Sequence, residues 1–382
     1  MPTIGIDYTA AYEQGAGIGR LVRQLIAALA AEDHATPYKL FVAGATPAQL
    51  PPIPGRNFKW YPTRVNPLWF ARVWYRARVF LPVEGFIGNV QLFHATDFVL
   101  PPHLPTTKTI LTVHDLSFVR APETSTPILK RYLDNVVPWS VRRADHVLAD
   151  SQATKDDLMD LYGTPANKIT VLLSGVDDRF QRINDPVAWQ AVRVKYKIPA
   201  ENPFIFSIGT VQPRKNYTRV IEALHQLGRD FEHVHYVIAG GKGWLDAPIY
   251  QMVRDLGMTD RVHFIGFADD TDLPTLYSAA AVTAYPSLYE GFGFPILESM
   301  ACGTPVLTAN VSSMPEVAGE AAVMVNPYQV EAIAEGLRRL LTDKGLQAKL
   351  IEQGYAQARL FSWQKAAAEL KMIYDDVLKG QR

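Results

Sequence analysis

The chain has 382 residues, more than one hydrophobic core usually organises, so two domains of roughly 180–200 residues are expected. Hydrophobic residues make up 48% and charged residues 20%, the balance of a globular protein with ample material for buried sheets. Lysine plus arginine equals aspartate plus glutamate at 38 each, so no global field draws the chain to nucleic acid, and anion binding must come from local placement.

Met1-Pro-Thr-Ile-Gly-Ile-Asp7 opens directly as a strand, without a signal-peptide pattern. No apolar run approaches about 18 residues, the length needed to span a bilayer. The expectation is a cytoplasmic protein, soluble or peripheral on the inner membrane face. Strands are predicted at Thr3–Asp7, Lys39–Gly44, Val90–Ala95, Thr109–Asp115, His146–Asp150 and Ile169–Gly175. Six more follow at Phe204–Gly209, His235–Gly240, Val262–Phe267, Val282–Pro286, Pro305–Ala309 and Ala321–Asn326. Many are continuously apolar, as strands buried on both faces are, and helix-period segments lie between them. That alternation predicts parallel βαβ units, in which ligands bind beyond the carboxyl ends of strands.

After the first strand, Gly15-Ala16-Gly17-Ile18-Gly19-Arg20 opens a helix. It is not a G-x-G-x-x-G fingerprint, and no acidic ribose partner ends the next strand. It does let a substrate approach the backbone closely. Trp60 to Phe80 interleaves Trp60, Tyr61, Trp69, Phe70, Trp74, Tyr75 and Phe80 with Arg64, Arg72, Arg76 and Arg78. A helix here would carry a basic stripe beside an aromatic one, suited to an anionic membrane interface or a lipid-linked acceptor. The competing reading makes the aromatics core and the arginines merely solvated. His114, in Thr112-Val-His-Asp115, ends a strand, where it can donate to a sugar hydroxyl or titrate near neutrality.

The break between halves falls within 175–203. Domains are expected over 1–180 and 181–361, with a helix at 362–382 rejoining the first. That helix sets Trp363, Ala366, Ala367, Leu370, Ile373, Tyr374 and Val377 on one face. In the second half, Ser207-Ile-Gly209-Thr-Val-Gln-Pro-Arg214-Lys215-Asn216 puts two adjacent cations at a strand's end. Arginine as a fork and lysine as a point charge suit phosphate oxygens. The bland reading is a solvated turn capped by Asn216. Asp270-Thr-Asp272 has metal-ligand spacing but precedes Leu273-Pro274, so helix capping is expected and no metal. Ser287-Leu-Tyr-Glu290-Gly-Phe-Gly-Phe-Pro-Ile-Leu-Glu298 passes from a strand through two glycines into a helix, with Glu298 expected in its first turn. Its free amides and helix dipole would favour a diphosphate. Cys302, the only cysteine, reads as a small packed residue.

With these residues in place, the sequence resembles the retaining GT-B glycosyltransferases of family four over nearly its whole length. Glu290 through Glu298 is similar to that family's Glu-x7-Glu motif. His114-Asp115-Leu-Ser-Phe118, Asp150-Ser151, Gly175-Val-Asp-Asp-Arg-Phe180, Ala301-Cys-Gly-Thr-Pro-Val306 and Ser312-Ser-Met-Pro-Glu-Val-Ala-Gly319 are also similar to it. The resemblance implies an α/β fold of two Rossmann-like domains facing a central cleft. It implies a metal-independent hexosyltransferase without cofactor, acting in polysaccharide biosynthesis on a nucleotide sugar and a glycan or lipid-linked acceptor. Mannose from GDP-mannose is the first donor and UDP-glucose the second. Glu298 would grip the ribose. Glu290 and the amides of Phe292, Gly293 and Phe294 would hold sugar and phosphates, and Lys215 with Arg214 would neutralise the leaving diphosphate. His114 would contact the transferred sugar and Gly17 would lie near the diphosphate. The base would pack beside Phe264–Phe267, with Gly240 to Gly243 nearby, Gly241 and Gly209 being counted among the donor-binding residues. Thr210 departs from the family, many members of which carry arginine there. A nucleotide-sugar epimerase of the same architecture and a non-catalytic nucleotide-binding protein are the competing functions.

Overall fold

A computed structural model describes residues 1–15 and 17–380. The chain divides into two compact units. The first comprises Met1–Leu116, Ile128–Gly175 and the segment from Ser362 onward; the second comprises Ser117–Pro127 and Val176–Phe361.

The first unit is built on a seven-stranded sheet: β1 (Ile4–Asp7), β2 (Tyr38–Ala43), β3 (Phe58–Thr63), β4 (Leu92–Ala95), β5 (Lys108–Val113), β6 (His146–Ala149) and β7 (Ile169–Val171). The spatial order is β3-β2-β1-β4-β5-β6-β7, with every neighbouring pair parallel. The second unit repeats this with β8 (Phe204–Ile208), β9 (His235–Ala239), β10 (Val262–Gly266), β11 (Val282–Tyr285), β12 (Val306–Ala309) and β13 (Val323–Val325), ordered β10-β9-β8-β11-β12-β13 and again parallel. Both are doubly wound Rossmann-like sheets. Strand order reverses between β1 and β4 in one and between β8 and β11 in the other, and such switch points are where these sheets hold ligands.

All twelve expected strands form, most of them one to four residues shorter than their apolar runs. β3 is the strand that periodicity did not reveal: Phe58 is buried while Lys59 to Thr63 are half-buried or exposed, as on a sheet edge. Trp60 and Tyr61 therefore belong to an edge strand, not a helix, which corrects the reading of the 60–80 segment. Only Pro67–Phe70 and a π-helical turn, Ala71–Arg76, are helical there. Phe70, Trp74 and Tyr75 are core, with Phe70 and Trp74 rings 4.1 Å apart.

The helix Ile18–Glu32 buries Leu21, Val22, Leu25, Ile26 and Leu29 along one face. Across it packs the helix Trp363–Lys379, whose buried residues are Trp363, Ala366, Ala367, Leu370, Ile373, Tyr374 and Val377. The Ser362 hydroxyl caps this helix on the Lys365 N–H, and Gly380 ends it in the left-handed region. The Tyr374 hydroxyl lies 2.7 Å from His94 Nδ1 on β4, tying the terminal helix to the centre of the first sheet.

Asp272 occupies the N-cap position of Leu273–Ala279 but its side chain makes no capping bond. It accepts instead from Lys195 and the Tyr196 hydroxyl, while Asp270 pairs with Arg179. The capping expectation is therefore replaced by ion pairs to the preceding segment. Cys302 is fully buried, and burial pushes its thiol up to about 12, so it is a packing residue.

Candidate active site

The second unit's switch point gathers a cluster of buried charged groups. The chain leaves β8 through Gly209 and a single 3₁₀ turn, Pro213–Lys215; it leaves β11 through Ser287–Gly293. Because β8 and β11 are neighbours, both turns emerge side by side. Glu290 Oε2 accepts from Arg214 at 2.6 Å and Glu290 Oε1 from Lys215 at 2.8 Å. Lys215 also donates to the Tyr285 hydroxyl at 2.8 Å. Burial alone would raise the Glu290 carboxyl, but Arg214 and then Lys215 outweigh it and hold the group at about 2. The Glu290 carboxylate of this triad is thus ionised at neutral pH.

Backbone contacts lock the two turns together. Leu288 N–H donates to the Arg214 carbonyl, and the Arg214 guanidinium donates to the Tyr289 carbonyl. Asn216 is buried and left-handed at φ 60°; its amide donates to the carbonyls of Pro286 and Pro327. It does cap the 3₁₀ turn, its N–H donating to the Pro213 carbonyl, but as a buried strut and not on a solvated turn. The glycines around it bring backbones together. A Cβ on Gly240 would lie 2.0 Å from the Gly209 carbonyl oxygen, and one on Gly243 would lie 2.3 Å from that of Val211. Gly241 faces open space and Phe267 is 63% exposed, so this side of the unit stays accessible.

Beyond Glu290 the chain runs into the helix Phe294–Ala301, with Gly293 at φ 123° as its N-cap. Among the described residues the N–H groups of Phe292 and Gly293 have no hydrogen-bond partner. Donors of this kind at a helix N-terminus suit an anion. Glu298 lies in the second helical turn, one turn deeper than expected from sequence, because the helix starts at Phe294. It is buried and accepts from the Tyr277 hydroxyl at 2.8 Å.

In the first unit, the loop after β1 is more elaborate than the glycine motif suggested. A short helix, Thr9–Glu13, intervenes, and Ala16 of the motif lies outside the described residues. Arg23 gathers the loop from below, donating to the carbonyls of Ala11, Gln14 and Gly15. Gly19 is required because a Cβ there would meet the Gln14 carbonyl oxygen at 2.1 Å, and Gly17 adopts φ 57°.

His114 follows β5 and is clasped by both neighbouring strands. Nδ1 lies 2.8 Å from Asp150 Oδ2 after β6, and Nε2 lies 2.8 Å from the Thr96 carbonyl after β4. Both partners are acceptors, so the ring must donate from both nitrogens and is an imidazolium. Burial opposes that charge, but the Asp150 carboxylate outweighs it and His114 is pushed up to about 9. His114 therefore holds its position as a buried cation, with neither N–H left over for a sugar hydroxyl in this arrangement. Asp97, two residues after β4, escaped the sequence reading. Burial pushes it up to about 6, with the His114 charge lowering it and Asp7 raising it, and Gln14 of the glycine loop lies 3.4 Å away. Its signal was a carboxylate just past a strand at a switch point.

The His114–Asp150 pair gives a pH prediction. A histidine raised from 6.5 to about 9 on folding contributes stability that is complete below pH 6.5 and lost as pH rises through 9. Asp150→Asn should cost about 3 kcal/mol at pH 7, since it leaves a buried charge unpaired. It should also flatten the stability loss between pH 6.5 and 9. Denaturant unfolding across that range checks this, and an unchanged midpoint at pH 7 would contradict it.

The model of the glycosyl transferases group 1 matches residues 190–357, and that of glycosyltransferase family 4 matches residues 15–180. The O-antigen chain mannosyltransferase B of Escherichia coli is 33% identical over 286 residues, covering 74% of each chain. This chain belongs to the family four GT-B glycosyltransferases. A D-inositol 3-phosphate glycosyltransferase of Salinispora tropica is 33% identical over 63% of this chain and 53% of its own length. Sucrose-phosphate synthase from Thermosynechococcus elongatus shares the fold with a TM-score of 0.77 at 20% identity, each chain covered completely. HepE of Anabaena, solved with UDP and glucose, does so at 0.73 and 17% identity, with 98% of this chain and all of that one covered. The charged cluster of this glycosyltransferase lies at its β8/β11 switch point.

Proposed function

We propose that this glycosyltransferase transfers mannose from GDP-mannose, with retention of configuration and without a metal ion, to a glycan or lipid-linked acceptor. The observation that carries the donor assignment is the convergence of Arg214, Lys215 and the amides of Phe292 and Gly293 at one switch point. Together they offer the charge and donors a leaving diphosphate requires, as preorganised electrostatic stabilisation. The sugar identity is supported by the mannosyltransferase among the relatives; UDP-glucose, the second candidate, is supported by the UDP and glucose bound to HepE.

As the glycosidic bond breaks through an oxocarbenium-like state, Lys215 and Arg214 take up the charge developing on the diphosphate. Glu290 is poorly suited to be a nucleophile, because both its oxygens are held by cations and its basicity is low. Same-face attack, with the acceptor's proton passing to the departing phosphate, fits this geometry better. Glu298 would hold the ribose hydroxyls, and Phe267 and Gly241 would border the base. A panel of nucleotide sugars tests the reading through hydrolysis and thermal stabilisation, with chelator present. GDP-mannose should give the largest response, and dependence on added magnesium or manganese would overturn the metal-free mechanism.

A peripheral membrane contact is a second element of the proposal. The 68–80 segment exposes Leu68 and Phe80, each 66% accessible, together with Trp69, Val79, Arg72, Arg76 and Arg78. No helix among the described residues is long and apolar enough to cross a membrane. Apolar and cationic groups on one surface suit anionic headgroups. Sedimentation with anionic vesicles at low ionic strength should carry the protein down, and Arg72→Glu with Arg76→Glu should abolish this. No binding at low salt, where attraction is strongest, would exclude it.

A further inference from the structure

Ser312 is a non-glycine residue in the left-handed backbone region, at φ 51°, a conformation strained for any side chain. It sits between β12 and the short helix Met314–Ala318, beside the turn that carries Glu290. Its hydroxyl is fully used. Ser312 Oγ accepts from the Glu290 N–H at 2.9 Å and donates to the Glu290 carbonyl at 3.0 Å. The adjacent Ser313 is completely buried, and its Oγ lies 2.6 Å from the Phe292 carbonyl and 2.9 Å from that of Glu290, its single O–H shared between the two acceptors. Two consecutive hydroxyls therefore grip the backbone on both sides of Gly291.

We propose that Ser312 and Ser313 are positioning residues for sugar transfer. They fix the Glu290 carboxylate against Arg214 and Lys215 and aim the Phe292 and Gly293 amides outward. Neither serine contacts substrate. The inference rests on the donor site proposed above and adds to it the device that shapes it. Backbone conformation alone favours glycine at 312; what serine adds is the hydroxyl clamp on Glu290. A rigid turn matters because electrostatic catalysis depends on donors already in place, and loss of about an ångström of register weakens it steeply.

Ser312→Gly separates the two roles, because it relieves the backbone strain while removing the clamp. Turnover of GDP-mannose and UDP-glucose would be measured beside thermal denaturation, for whichever donor the wild type consumes. The expected result is an unchanged or raised Tm with kcat lowered about tenfold or more. Ser313→Ala should lower kcat similarly, and Ser313→Thr, which keeps the hydroxyl, should restore part of it. Wild-type kcat in both Ser312→Gly and Ser313→Ala would overturn the inference, as would activity falling only in step with Tm. Lys215→Ala in the same assay distinguishes the two levels. If it also keeps full turnover, the donor site itself is misplaced; if it is impaired while both serine variants are silent, only the positioning role fails.

Discussion

Lys215→Ala is expected to lower kcat by about 10²–10³-fold while changing donor KM much less. The Lys215 ammonium lies at the end of β8, 2.8 Å from Glu290 Oε1 and 2.8 Å from the Tyr285 hydroxyl. It is mostly buried, so water screens its charge little. As the anomeric C–O bond breaks, its electron pair goes to the β-phosphate oxygen, so the leaving group gains negative charge that the ground state lacks. A cation fixed there acts mainly on the second state, which is why kcat carries the loss. Arg214 remains in the variant and limits the effect. Steady-state kinetics on a folded variant check this, and an unchanged kcat would remove Lys215 from the reaction.

Glu290→Gln should separate binding from turnover in the opposite direction. The carboxylate currently occupies both cations, at 2.6 Å and 2.8 Å. Without its charge the pair is left with an additional net positive charge, so a nucleoside diphosphate should bind at least as tightly as in the wild type. Turnover should still fall, by roughly 10²-fold, because one of the two oxygens that orient the cations becomes an NH2 donor. Stability follows the linkage sign of a depressed carboxyl: the triad's contribution is present above pH 4.5 and lost only as pH falls toward about 2. Titration calorimetry with GDP and UDP, beside kinetics, reads both effects. Weaker diphosphate binding with normal turnover would contradict the assignment.

The sheets were legible because buried parallel strands announce themselves as apolar runs, and each of the twelve expected strands contains at most one charged residue within its bounds. β3 was hidden because an edge strand exposes Lys59 and half-buries Trp60 to Thr63, so neither continuous apolarity nor clean alternation survives. The Glu290, Arg214 and Lys215 cluster could be anticipated because each residue follows a strand, though sequence alone does not reveal that β8 and β11 are neighbours. His114 was found but its state was not. Only three-dimensional placement between the Thr96 carbonyl and Asp150 makes it a doubly donating cation. The 68–80 segment misled because its aromatics divide between core, at Phe70, Trp74 and Tyr75, and surface, at Trp69 and Phe80, a split that helical spacing does not encode.

The central claim is that the donor's diphosphate sits at the β8/β11 switch point. A crystal structure of the glycosyltransferase grown with GDP tests it most directly. The account predicts the β-phosphate within hydrogen-bonding distance of Lys215, Arg214 and the amides of Phe292 and Gly293. GDP bound with its phosphates away from these four groups would contradict it.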